Sequence, residues 1–220
     1  TIRSIKKSTL ELDYEIIIVD NNSNDKSVDC IKKQFPGIKL IQNSSNYGFS
    51  KAVNIGVSRS EGKFILILNP DTILKENTIS ELYKTLINDS NIGVVGGKIL
   101  DCNGKFQLSS RRAFPSFLTS LFHVTGLSYL LPKTKLFGKY NYTYKSSSCS
   151  HYVDAISGAC MMFSRKLFNQ LSGFDERYFL FFEETDFCRE TQKSGKKVFY
   201  NANAEIIHYR GESMKTAPFN

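Results

Sequence analysis

Apolar and polar positions fall in alternating blocks, and the sharpest block is Phe64-Ile65-Leu66-Ile67-Leu68, which follows Gly62 and ends on Asn69-Pro70-Asp71. An apolar run without polar alternation predicts a strand covered on both faces, as in a parallel sheet. Ligand crevices of open α/β sheets lie beyond the carboxyl ends of such strands, which is where Asp71 falls. An ordinary strand-to-helix turn accounts for the same residues, with Pro70 fixing the bend and Asp71 capping a helix over 76–87.

Upstream, residues 14–20 are β-branched and apolar and close on Asn21-Asn22-Ser23-Asn24-Asp25, a cluster of turn formers and helix caps. Val28, Ile31 and Phe35 share a helical face that Pro36-Gly37 stops; 38–42 reads as a strand, and small residues pattern a helix from Phe49 to Val57. Strand, helix, strand, helix, strand at this rhythm predicts a parallel sheet of the kind used for nucleotides. The chain has no Walker lysine and no GxGxxG.

Downstream, the pattern predicts a helix over 75–88, a strand over 93–100 whose Gly96-Gly97 allows close backbone approach, and a hairpin turn at 101–104. Residues 114–132 collect aromatic and aliphatic side chains with few charges but are too polar to span a bilayer. A lid helix buried against the core is the first reading and a helix in the membrane interface the second. The Lys-, Tyr- and Ser-rich stretch 133–150 reads as a mobile loop. A strand-like run over 152–163 is broken at Ser157-Gly158-Ala159, and a short helix spans 165–171. After the aromatic segment 178–182 come Glu183, Glu184 and Asp186, at the start of a helix that Gly195 ends. Acids in a first turn complement the helix dipole, whereas a mouth lined by Phe and Tyr would raise a carboxylate's pKa and suit a general base. Strands at 197–200 and 204–207 then deliver His208.

Composition bounds these readings. A chain of 220 residues, 41% hydrophobic, supports one globular domain, and a net charge of +8 favours anionic partners. Five cysteines without a CxxC pair suggest free thiols in a reducing compartment. No signal peptide and no long apolar run is present, and the chain opens on a basic helix over 1–9, as though its domain's first strand were missing.

The order of motifs resembles the inverting family-2 glycosyltransferases, most nearly their rhamnosyltransferase-like bacterial branch. The matching pieces are Ile18-Val19-Asp20-Asn21-Asn22-Ser23, Asn46-Tyr47-Gly48-Phe49 with Asn54 and Gly56, and Asn69-Pro70-Asp71. Ser157-Gly158-Ala159, Gly173-Phe174-Asp175-Glu176, Glu183-Glu184-Thr185-Asp186 and His208-Tyr209-Arg210-Gly211-Glu212-Ser213 complete the set. The resemblance implies a GT-A-like, Rossmann-like α/β fold, with a mainly parallel nucleotide-binding half over 1–100 and a mixed acceptor-side half over 101–220. It also implies a nucleotide-diphosphate-sugar donor, a divalent cation (Mg²⁺ or Mn²⁺) and direct displacement at the anomeric carbon.

By the same resemblance, Asp20, Asn21, Asn46, Asn54, Asn69 and Asp71 bind the donor, and Asp71 with His208 holds the metal. Gly158, Ala159 and Glu183 line the acceptor side. Glu184 is the base, with Asp186 in reserve. Two departures stand out: Asn69 replaces the first acid of a DxD motif, and Glu183-Glu184 replaces a Glu-Asp pair. The expected acceptor is a glycan or lipid-linked sugar, reached by a cytoplasmic enzyme with peripheral contact to the inner face of the plasma membrane, without nucleic acid. A sugar nucleotidyltransferase and an inactive basic binding module are the rival readings.

Overall fold

The computed structural model of the protein describes residues 1–8 and 12–209, apart from the side chains at 120 and 123. Residue 9 of the expected N-terminal helix and the 210–213 portion of the last motif lie outside the described residues. The first half runs α1 (Ile2–Ser8), β1 (Ile17–Asp20), α2 (Ser27–Gln34), β2 (Lys39–Gln42), α3 (Phe49–Ser58), β3 (Phe64–Leu68), β4 (Thr72–Leu74), α4 (Thr78–Asn88) and β5 (Ile92–Leu100). The second runs through a 3-10 turn (Leu108–Ser110), β6 (Arg111–Arg112), α5 (Phe117–Val124), α6 (Leu127–Leu130), β7 (His151–Val153), β8 (Ala155–Ile156), β9 (Cys160–Ser164), α7 (Arg165–Gln170), α8 (Glu183–Lys193) and β10 (Lys197–His208).

The central sheet has the order β3-β9-β5-β10-β4, with β7 beside β10. Side chains alternate between its faces as strand geometry requires. Val94, Met161 and Phe163 join one core cluster with Phe168, Phe174 and Phe187, whereas Val95, Cys160 and Met162 join another with Leu82, Leu86 and Ile99. Covering both faces explains the unbroken apolar run of β3.

Strand direction is less uniform than that run suggested. β1 pairs with β2 in parallel and β5 with β10 in parallel, but β3, β4, β7 and β9 join their neighbours antiparallel, so the α/β fold carries a mixed sheet. An apolar run reports that both faces are covered and carries no information on the neighbours' direction. The expected β1-β2-β3 continuity also differs: β1 and β2 form their own two-stranded sheet. α3 packs on β1, and Glu15 Oε1 accepts the Gly62 N–H at 3.1 Å just before β3.

Two further corrections concern local elements. Asp71 caps no helix, because β4 follows it and α4 begins only at Thr78. The two expected C-terminal strands are one, β10, with a register shift between Asn201 and Glu205 opposite Gly97 and Lys98. A Cβ on Gly97 would lie 2.5 Å from the Ala204 carbonyl oxygen, so the glycine permits that approach.

The middle third departs furthest from expectation. In place of a buried lid, α5 and α6 present their apolar side chains outward: Phe117 is 82% exposed and Val124 85%. Residues 133–150 are tied rather than loose, because the buried Arg111 guanidinium donates to the carbonyl oxygens of Tyr142, Lys145 and Ser146. Arg111 also lies over the Tyr200 ring at 4.6 Å, so its charge is compensated by carbonyl dipoles and an aromatic face.

Candidate active site

Sheet register builds the first half of the site. β4 and the end of β10 run antiparallel, with His208 opposite Thr72, so the last residue of β10 arrives beside Asp71. His208 Nε2 lies 3.1 Å from Asp71 Oδ1 and 3.3 Å from Asn69 Nδ2. The Asp71 contact lacks hydrogen-bond geometry, and Oδ1 is a buried acceptor without a donor. The Asn69 N–H donates to the Ala159 carbonyl at 3.2 Å and the Tyr209 N–H to the Asp71 carbonyl at 3.0 Å, which fix the turn.

α8 builds the second half. Glu183 and Glu184 are both buried in its first turn. A guanidinium N–H of Arg112 donates to Glu184 Oε1, and Glu184 Oε2 has no hydrogen-bond partner. Arg112 comes from β6, which pairs with β8 so that Arg112 lies opposite Ala155, three residues before Gly158. A Cβ on Gly158 would lie 3.5 Å from Glu184 Cβ and 3.8 Å from Phe49 Cζ, so the Ser157-Gly158-Ala159 bend joins the two halves. Burial, reinforced by the Glu184 charge, raises the Glu183 carboxyl to about 7, against the opposing pull of its own backbone hydrogen bond and Arg112.

The expected donor residues form a third set. Asp20 ends β1 and accepts the Ser23 N–H at 3.2 Å, which shapes the Asn21–Ser23 turn. Asn21 Nδ2 donates to the Gly48 carbonyl at 3.0 Å and its Oδ1 accepts from Asn43, while Asn46 Oδ1 accepts the Gly48 N–H. Gly48 takes φ +82° directly before α3, and a Cβ there would meet the Phe179 carbonyl oxygen at 2.5 Å. The Asn21 and Asn46 loops are thereby held against the segment that precedes α8. Asn54 stands apart: its amide is engaged with Phe174 N, Phe174 O and Glu176 Oε1, which clamps α3 to residues 173–176.

Asp186 is separated from Glu184. It lines a cleft of about 290 Å³ with Asp175, Arg177 and Glu190. Burial raises its carboxyl, as do the nearby charges of Glu190 and Asp175. Sequence reasoning missed Arg112. The available signal was an Arg-Arg pair in a stretch without acids, since an arginine there needs a carboxylate from elsewhere in the fold.

Asp71 and His208 supply an oxygen and a nitrogen, the oxygen is an orphan, and no cluster of three or more such side chains exists among the described residues. Two protein ligands fit a cation that completes its shell with water and substrate phosphate, not a closed protein cage.

This α/β domain, with its acid-imidazole pair beyond β3 and its carboxylates behind a glycine bend, shares its fold with a glycosyltransferase of the GT-A class. The crystal structure of GalNAc-T7 with UDP, GalNAc and Mn²⁺ aligns at a TM-score of 0.71 and 18% identity, over 96% of this chain and 40% of that one. A family model described as glycosyl transferase family 2 matches residues 1–172, and the chain belongs to that family. N-acetylglucosaminyl-diphospho-decaprenol L-rhamnosyltransferase of Mycobacterium tuberculosis is 26% identical over 94% of this chain and 70% of its own length. Rhamnosyltransferase WbbL of Escherichia coli is also 26% identical, over 89% of this chain and 73% of its own. The hexosyltransferase Agl10 of Haloferax volcanii, named for low-salt glycan biosynthesis, is 28% identical over 88% of this chain and 58% of its own.

Proposed function

We propose that the protein transfers a hexosyl group, rhamnosyl foremost, from a nucleotide-diphosphate-sugar to a lipid-linked or polysaccharide acceptor in cell-surface glycan synthesis, with inversion at the anomeric carbon. The observation that carries this reading is the pairing, across one glycine bend, of the Asp71–His208 pair with a carboxylate that Arg112 orients. Asp20, Asn21 and Asn46 hold the donor's nucleoside end, and Asn54 fixes the wall behind them. Asn69 and Asp71 face its diphosphate. Asp71 and His208 would hold a divalent cation, which when bound neutralises charge on a departing diphosphate.

Glu184 is the base. Its Oε1 is engaged by Arg112 and its Oε2 is buried without a hydrogen-bond partner, so Oε2 is the oxygen left to take the proton of the acceptor hydroxyl as that oxygen bonds to the anomeric carbon and the bond to the diphosphate breaks. Glu183, neutral through much of the range below pH 7, lines the acceptor side as a hydrogen-bond donor, beside Gly158 and Ala159. Among the described residues no helix is long and apolar enough to cross a membrane. A lipid-linked acceptor brings this domain to a membrane surface, at the inner face of the plasma membrane.

Incubation with a panel of nucleotide-diphosphate-sugars in water, with and without Mg²⁺ or Mn²⁺, tests the reading. One donor should be slowly hydrolysed when the cation is present. If no donor is consumed, or if one is consumed equally with excess chelator, the reading fails.

A further inference from the structure

The α5–α6 hairpin is built inside out. In α5, Phe117, Leu118, Leu121 and Val124 recur at the spacing of one helical face and are all exposed, whereas the polar Thr119 is buried. Phe122 is the aromatic that turns inward, edge-on to Phe137 at 4.8 Å. α6 and the residue after it continue the exposed face through Leu130, 75% exposed, and Leu131. Apolar surface on this scale in one contiguous stretch marks an interaction site.

Charge selects the partner. Between Cys102 and Val153 the chain carries seven Lys and Arg and no Asp or Glu, against a net +8 for the whole chain. Arg111 and Arg112 are turned inward, but Lys133, Lys135 and Lys139, directly after the hairpin, are exposed. Exposed apolar side chains followed by a lysine cluster without acids suit neither a polar glycan nor a second copy of so basic a chain. They suit a bilayer with anionic headgroups, where apolar residues enter the acyl boundary and lysines meet phosphates.

We propose that α5–α6, with Lys133, Lys135 and Lys139, is the surface by which the protein docks on an anionic phospholipid bilayer. This rests on the reading of a membrane-borne acceptor and says which surface meets the membrane. Its position suits that task, because Arg112, which holds Glu184, lies only four residues before Ser116 and the start of the hairpin. A docked hairpin therefore holds the candidate site within reach of a sugar linked to lipid.

Flotation of the full chain with vesicles of phosphatidylcholine alone, or mixed with phosphatidylglycerol, tests the proposal. Wild type should float with the anionic vesicles and much less with the neutral ones. The triple variant Phe117→Ser, Val124→Ser, Leu130→Ser should bind anionic vesicles roughly tenfold more weakly or worse. Lys133→Glu with Lys135→Glu should abolish the preference for anionic lipid. These side chains are exposed, so the melting temperature should not move. Absence of wild-type flotation on anionic vesicles, or equal flotation of the triple variant, overturns the proposal. So does a wild-type dimer that the triple variant splits while flotation is unchanged, because a second copy then covers the face. Donor hydrolysis in vesicle-free buffer should be the same in all variants; its absence beside intact flotation would sink the proposed function and leave this surface standing.

Discussion

Arg112 engages one oxygen of Glu184 and leaves the other without a partner, so a residue from a two-residue strand sets the orientation of the carboxylate at the start of α8. Glu184→Gln keeps the shape but cannot accept a proton. Transfer should fall by about 10²–10⁴ while donor affinity is nearly unchanged. Near-normal turnover of Glu184→Gln, beside an inactive Asp186→Asn, would move the base to the Asp175–Asp186 cleft.

Removing Arg112 should act on the same carboxylate through its position. Arg112→Met leaves Glu184 Oε1 without its donor, so kcat should fall about tenfold or more while donor affinity is nearly unchanged, with Arg112→Lys losing less. An unchanged kcat in Arg112→Met would make the contact incidental to transfer.

Asp71 Oδ1 is buried with no donor and sits 3.1 Å from His208 Nε2. If the pair holds a cation, nucleoside-diphosphate binding should need Mg²⁺ or Mn²⁺ and weaken sharply in Asp71→Ala, as measured by calorimetry. Affinity that is the same with and without chelator would exclude this role.

Glu183 gives a stability signature. Its folded carboxyl is pushed up to about 7, above the ordinary 4.5 of a free Glu side chain, so the unfolded chain ionises first as pH rises. The neutral form's advantage is complete below about 4.5 and is lost as pH climbs to about 7 and beyond. Glu183→Gln should therefore stabilise the protein at pH 8 by roughly 1–3 kcal/mol relative to wild type, and by much less at pH 4. Denaturant melts at the two pH values check the difference; an equal effect at both would show that burial does not hold Glu183 neutral.

Two glycines should respond differently to one methyl group. Gly97→Ala drives a Cβ to 2.5 Å from the Ala204 carbonyl oxygen in the sheet centre and should cost about 1–3 kcal/mol or more. Gly158→Ala meets Glu184 Cβ at an ordinary 3.5 Å, so stability should change by about 0.5 kcal/mol or less. Its effect should appear in the KM for acceptor. Equal melting losses in both variants would contradict this division.

Much was legible in the sequence because it is local. The apolar run of β3 and its close on Asn69-Pro70-Asp71, the helix that small residues pattern from Phe49, and the glycines that admit close backbone approach all follow from periodicity and from the conformations that glycine and proline permit. The motif order reached the family for the same reason, since each piece is a short stretch with its own turn or strand chemistry. What the sequence left open depends on which distant segments meet. Strand direction and the single long β10 are set by pairing between strands distant in sequence, and the arrival of His208 beside Asp71 by register between strands more than 130 residues apart. The Arg112–Glu184 pair spans 72 residues and has no periodic signal. The outward face of α5 was misread because apolar spacing fixes which side chains share a helix face, while only the tertiary structure decides whether that face meets the core or the surroundings.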